Sequence, residues 1–205
     1  MIPKPYQKPH PPLWVAVTSP GTEIDAAEHG IGALGLTFND FAEQERRVKA
    51  YHKVIASCEP AGAINNQVAT VNFLYCHEDN EVGQKTGLRL SGTFGYAAAQ
   101  LVSAREVYAS PSYGSFGLLP QVRRQSAVPG EMPGPPPGLA VGDPKRIIEV
   151  LKGWESTGVD CVNFLLNALE VVPQAEVLAS LRLFAKEVMP AFKAGATSKT
   201  PVAAE

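Results

Sequence analysis

Leu13-Trp14-Val15-Ala16-Val17-Thr18-Ser19-Pro20-Gly21-Thr22-Glu23-Ile24-Asp25-Ala26-Ala27-Glu28-His29-Gly30 is the stretch whose reading decides the fold. Its first five residues are a short apolar run behind the stiff lead Lys8-Pro9-His10-Pro11-Pro12, and such a run reads as a buried strand. The run breaks at Thr18-Ser19-Pro20-Gly21-Thr22. From Glu23 to His29 the pattern becomes helical, and Gly30 is a helix-ending residue. Strand, tight loop and helix follow one another without a spacer.

The same grammar recurs downstream. Ala33-Leu34-Gly35-Leu36-Thr37-Phe38 is a second apolar run, and Asn39 can cap a long polar helix over 40–57 with Phe41, Val48, Tyr51 and Ile55 on one side. Residues 67–76, rich in Val, Thr, Phe and Tyr, predict a third strand, and 81–100 a helix despite its glycines. Residues 109–138 differ in kind: five glycines and Pro135-Pro136-Pro137 without periodicity predict a long mobile loop. Order resumes at Asp143-Pro144, a cap followed by proline at the first helical position, with Ile147, Ile148, Leu151 and Trp154 at helical spacing. Gly158 leads into a strand over 159–166. Pro173 opens a last helix carrying Val177, Leu178, Leu181, Phe184 and Val188, and 194–205 reads as a disordered tail behind a single domain over 1–193.

Four strand–helix units predict an α/β fold with a parallel sheet and right-handed crossovers. Periodicity does not choose between an open doubly wound sheet and a closed barrel. An eight-stranded TIM-type barrel takes about 250 residues, so four units with an insertion amount to about half of one.

Composition narrows the function classes. The 205 residues carry a net charge of -2, which gives no electrostatic case for nucleic acid or an anionic membrane surface. No apolar run reaches the roughly 18 to 20 residues of a membrane span, and the proline-rich polar start is not read as a signal peptide. Cys58, Cys76 and Cys161 are an odd number without a Cys-x-x-Cys pair, which predicts buried thiols in a reducing cytoplasm.

Three stretches in this order resemble the bacterial luciferase family of flavin-dependent monooxygenases. They are Pro3-Lys4-Pro5-Tyr6-Gln7-Lys8-Pro9-His10-Pro11-Pro12-Leu13-Trp14-Val15-Ala16; Thr18-Ser19-Pro20-Gly21-Thr22 with its helix and Gly30-Ile31-Gly32; and Val141-Gly142-Asp143-Pro144, Gly158-Val159-Asp160 and the 181–190 segment. The resemblance covers nearly the whole chain outside 109–138, where relatives also hold a flexible loop over the active site. It implies strands five to eight of a flavin-binding barrel. Strands one to four would then be missing, leaving either a truncated gene or fragment, or a half barrel that pairs with a missing N-terminal half or forms a homodimer. It also implies FMN as cofactor, with deazaflavin F420 as the alternative. Reduced flavin would then activate oxygen to oxygenate an aldehyde or similar small organic substrate. Without the other half, catalysis by this chain alone is left open, and so is a non-catalytic flavin-binding or scaffold role.

The candidate cofactor-binding residues are Ser19, Thr22, Gly21, Thr18 and Thr37. A strand ending in Ser-Pro-Gly-Thr at a helix start offers two hydroxyls and free backbone N–H groups to one anion, and the helix dipole adds to the attraction. The plain alternative is that Ser19 or Thr22 caps the helix. The resemblance places the FMN phosphate on Ser19 and Thr22, with Gly21 permitting close approach, and Thr18 and Thr37 facing the flavin. No residue is assigned as catalytic. His10 reads as part of a structural turn, His29 and His52 as solvated or packed, and Cys76-His77 lacks a second ligand pair at metal-site spacing. Arg123-Arg124 reads as solvated loop.

Overall fold

The computed structural model describes residues 4–17, 21–35, 41–107 and 135–193, with no side-chain description for Ala99 and 102–107. The elements are β1 (Trp14–Val17), α1 (Thr22–Glu28), β2 (Gly32–Gly35), α2 (Phe41–Ile55), β3 (Val68–Cys76), α3 (Asn80–Val107), β4 (Ala140–Gly142), α4 (Pro144–Ser156), β5 (Cys161–Leu165) and α5 (Gln174–Leu183). A π-helical turn (Phe184–Val188) and the short α6 (Pro190–Lys193) complete them.

All strand pairs are parallel. Ala69 of β3 pairs with both Leu34 and Cys161, and Thr70 with both Gly35 and Val162. A residue can have one ladder partner on each side, so β2 and β5 flank β3 and the order is β1-β2-β3-β5. The three-residue β4 adds to the far end of β3, at Leu74 to Cys76. The α/β fold with a parallel sheet is thus as the residue pattern predicts, and β4 is an addition that its brevity hid.

Laterally paired residues point to the same face of a sheet. Val15, Val17, Ala33 and Val68 share one face and pack against Ala26 and Ala27 of α1 and Val48, Tyr51 and Ile55 of α2. Leu74, Val162 and Phe164 continue that face beneath Ile147, Val150, Leu151 and Trp154 of α4. On the opposite face, α3 covers the C-terminal half of β3: Leu90 and Phe94 meet Phe73 and Tyr75, with Phe73 and Phe94 in edge contact at 5.4 Å. Every residue of β3 is buried, which fits its mostly apolar composition; Thr70 and Asn72 are its two polar members.

Local chemistry fixes the ends. The Asp143 carboxylate accepts from the Arg146 N–H at 2.8 Å with Pro144 at the first helical position, as the sequence predicts. His10 Nε2 accepts from the Ala63 N–H at 2.9 Å, which makes it the structural tie its proline setting suggests. Two expectations change. Leu178 is 41% exposed although it follows the helical spacing of its neighbours. Cys161 is exposed and Cys58 half-buried, so only Cys76 is a buried thiol. Residues 108–134, which hold most of the predicted loop, and 194–205, the predicted tail, lie outside the described residues.

Candidate functional site

In parallel α/β folds, ligands gather at the C-terminal ends of the strands, where loops lead into helices. Two places at that end carry polar groups here.

The first is the turn from β1 into α1. Thr18, Ser19 and Thr37 lie outside the described residues, as does Asn39; Gly21 and Thr22 are described. Gly21 has φ +95°, a left-handed conformation that disfavours any side chain, and among the described residues nothing stands within 4 Å of where its Cβ would be. Its carbonyl accepts from Ile24 N–H at 2.9 Å and Asp25 N–H at 3.2 Å, which winds the first turn of α1. Gly21 therefore holds the N-cap position and Thr22 is the first helical residue, half-buried.

Two residues that the sequence did not single out complete this turn. The Gly21 N–H donates to the Glu23 carboxylate at 3.1 Å, and the same carboxylate lies 2.9 Å from the Arg47 guanidinium of α2. Both side chains are largely buried, 12% and 13% exposed. Burial pushes the Glu23 carboxyl up, but the hydrogen bond and charge of Arg47, with backbone N–H groups, outweigh it and hold the group below its ordinary range. The helix N-terminus thus receives an anion from its own chain, neutralised from α2. A crevice of about 10 Å³, lined by Val17, Gly35, Gln44 and Arg47 among others, lies beneath and has room for one water. No sequence signal ties Glu23 to Arg47; the pair exists only because α1 packs on α2.

The second place is a cavity of about 330 Å³ at the end of β3, walled by Tyr75, Cys76, His77, Thr86, Glu176 and Ser180. The Tyr75 hydroxyl lies 3.5 Å from the Glu176 carboxylate. Burial, then the Glu176 charge, raises the Tyr75 pKa. Burial, then the charges of Asp143 and Glu187, pushes the Cys76 thiol up to about 12, so it stays protonated and un-nucleophilic near neutrality. The His77 Nδ1 accepts from the Asp79 N–H at 3.0 Å, closing the turn into α3. His29 and His52 are held by Asp25 and Asn66, and Arg123-Arg124 lies outside the described residues.

The parallel sheet with helices packed on it defines a class of α/β scaffold, and the solved structures on which the chain superposes share that fold. The flavin-dependent trigonelline monooxygenase oxygenase component of Acinetobacter baylyi is 22% identical over 204 residues, covering 93% of this chain and 51% of the relative. The monooxygenase RslO1 of Streptomyces bottropensis superposes with a TM-score of 0.64 at 17% identity, over 94% of this chain and 51% of that one. The oxygenating constituent of 3,6-diketocamphane monooxygenase from Pseudomonas putida, solved in complex with FMN, gives 0.56 at 17% identity, over 88% and 49%. The coenzyme F420 dependent tetrahydromethanopterin reductase of Methanopyrus kandleri gives 0.54 at 15% identity, over 89% and 51%. No protein-family model matches the chain. The chain spans about half the length of the relatives it matches.

Proposed function

We propose that this chain is the flavin-phosphate-binding half of a luciferase-like, flavin-dependent monooxygenase. In this reading β1, β2, β3 and β5 are strands five to eight of a TIM-type barrel, and the protein works in the cytoplasm. The observation that carries the proposal is the Gly21 turn. Gly21 follows the parallel strand β1 at the start of α1, has nothing among the described residues within 4 Å of its Cβ position, and has the Glu23–Arg47 pair beside it. The alignment to a flavin-dependent oxygenase component across 93% of the chain supports the same reading.

The residues present fit a phosphate. Ser19 and Thr22 bring hydroxyls, Gly21 an N–H, and Arg47 the charge; the phosphate would take the place now filled by the Glu23 carboxylate. Thr18 and Thr37, which follow β1 and β2 in the sequence, would face the ring system. Bound FMN would supply the redox chemistry that activates oxygen toward a small organic substrate such as an aldehyde. The chain's own part is to hold the phosphate, orient the cofactor and exclude water. A deazaflavin is the alternative cofactor, supported by the likeness to the F420-dependent reductase fold.

Titration of the purified chain with FMN, followed by quenching of flavin fluorescence, tests the proposal. Saturable binding weakened roughly tenfold or more by Ser19→Ala/Thr22→Ala is expected, from the loss of two phosphate hydrogen bonds. Saturable binding that the double variant leaves unchanged removes the phosphate assignment. Absence of binding removes the claim that this chain alone holds the cofactor.

A further inference from the structure

We propose that two copies of this chain associate through the open side of the sheet, β1 of each copy running beside β5 of the other. The argument begins at the edges. Among the described residues, β1 pairs only with β2 and β5 only with β3, so each presents one row of backbone N–H and C=O groups without a ladder partner. The Gly32 N–H donates to the Leu13 carbonyl at 3.0 Å, which turns the backbone groups of Leu13, Val15 and Val17 toward β2 and those of Trp14 and Ala16 outward.

Free edges are normally protected by charge, proline or a bulge. Neither edge strand here has any of these: β1 reads Trp-Val-Ala-Val and β5 reads Cys-Val-Asn-Phe-Leu, in a chain whose residues are 19% charged. Strands so composed are those of an interior, where a neighbour covers them.

The face beside these edges is open as well. Sheets of parallel strands are covered on both faces. Among the described residues α1, α2 and α4 cover one face, and on the other α3 packs over the C-terminal half of β3, with Leu165 of β5 and Val177 of α5 beside it. Register puts Ala16, Leu34, Ala69 and Cys161 on one tier of this face; Ala69 is buried and Leu34 half-buried, so the face is open at its margins and not over β3. At its margins Trp14 is 39% exposed, and Ala16, Cys161 and Asn163 are exposed too.

A second copy is the occupant these features fit. A two-fold axis parallel to the strands sets β1 beside β5 of the other copy in the same direction, twice, and leaves no edge unpaired. Four parallel strands from each copy make eight, the number at which a parallel ring closes around a packed interior. The contact is self-complementary because uncharged edges meet uncharged edges, with no like-charge repulsion. It offers no charged residue to a charged partner.

Light scattering on the eluting full chain, without flavin and at tens of micromolar, reads the outcome. The expected mass is twice the 21.9 kDa of one chain. Ala16→Lys, which places a charge on the open face, raises the dimer dissociation constant roughly tenfold or more. Leu178→Lys on α5, away from the sheet face, leaves the dimer intact. Ala16→Cys, paired with the native Cys161, gives an interchain disulfide on mild oxidation, read as a doubled mass on a denaturing gel. This arm decides the matter should Ala16→Lys fail to fold. A monomer at that concentration overturns the proposal, as does a dimer that Ala16→Lys leaves intact and Ala16→Cys fails to cross-link. A chain that recruits a different β/α partner is a monomer in isolation and counts with the first of these. Because no flavin is present, either failure leaves the cofactor reading untouched.

Discussion

The Arg47 guanidinium lies 2.9 Å from the Glu23 carboxylate, and this one contact fastens the N-terminal turn of α1 to the middle of α2. Both groups are largely withdrawn from water, and Arg47 supplies the countercharge to the Glu23 carboxylate. Removing Arg47 leaves a buried carboxylate with a backbone N–H but without its countercharge. Arg47→Met should therefore destabilise the chain by about 3 kcal/mol, the usual scale for breaking one side of a buried pair. The sign of the pH dependence follows from Glu23. Its folded pKa lies below the ordinary 4.5, so its contribution is fully present above that value and is lost as pH falls through the folded pKa. Urea melts should show a gap between wild type and Arg47→Met at pH 7 that narrows below about pH 4.5. A gap of constant width would mean that the pair is not the source.

The same geometry makes Glu23 a competitor for the proposed ligand. A phosphate on the Gly21 N–H would displace the Glu23 carboxylate or sit against it. Neutralising that carboxylate by Glu23→Gln removes a like charge beside the ligand. At an effective dielectric constant near 20, a unit charge some 8 Å away is worth about 2 kcal/mol, of which solvent and rearrangement leave part. FMN affinity should rise about five- to tenfold, whereas riboflavin, which lacks the phosphate, should bind as before. Equal changes for the two flavins would dissociate Glu23 from the phosphate.

What the residues disclosed, and what they concealed, follows from the range of the interactions. Asp143 with Pro144 announced α4 because a cap and a preset φ act within one turn. The run 68–76 announced β3 because it is rich in the Val, Phe, Leu and Tyr that a strand buried on both faces needs, with Thr70 and Asn72 as its buried polar residues. Trp14–Val17 and Thr22–Glu28 were equally legible; of the tight loop expected between them, Gly21 stands at the start of α1 and 18–20 lie outside the described residues. The Glu23–Arg47 pair was not, because residues 24 apart in sequence meet only once α1 has packed on α2. β4 escaped notice because its three residues are ordered by β3 and by the hydrogen bond that the Ala140 N–H donates to Asn72, not by any pattern of their own. Of the five proposed cofactor residues, Gly21 and Thr22 stand at the described turn, and Thr18, Ser19 and Thr37 lie outside the described residues.

Asn72 and Trp154 converge on a single carbonyl. Gly138 O accepts from Asn72 Nδ2 at 2.6 Å and from Trp154 Nε1 at 2.8 Å, while Asn72 Oδ1 accepts from the Ala140 N–H at 3.1 Å. Both side chains are fully buried, at 0% exposure. Asn72→Leu leaves a buried carbonyl short of a donor and a buried N–H with no acceptor, which should cost about 2 to 4 kcal/mol. Trp154→Phe loses only the indole donor and part of the ring that Phe41 meets edge-on at 4.8 Å, and should cost about 1 to 3 kcal/mol. Denaturant melts of the two single variants and the double variant measure the coupling. Because both act through Gly138, their effects should not add; strict additivity would show that the two donors are independent.

Glycine in helix α3 gives a contrast of sign. In isolation, glycine in a helix interior is less favourable than alanine by about 1 kcal/mol. At Gly95 a Cβ would meet nothing within 4 Å, so Gly95→Ala should raise stability by about 0.5 to 1 kcal/mol. At Gly83 the same Cβ would stand 2.7 Å from the Gly142 Cα and carbonyl oxygen, and backbone cannot step aside as a flexible side chain does. Gly142 is itself held at φ +130° at the end of β4, against Asn80 and Arg146, so the strain passes into the turn that starts α4. Gly83→Ala should therefore destabilise by about 1 to 3 kcal/mol, the range for overpacking a close contact. Thermal melts of the two variants side by side should move in opposite directions from wild type. Two shifts of the same sign would mean that α3 does not approach β4 this closely.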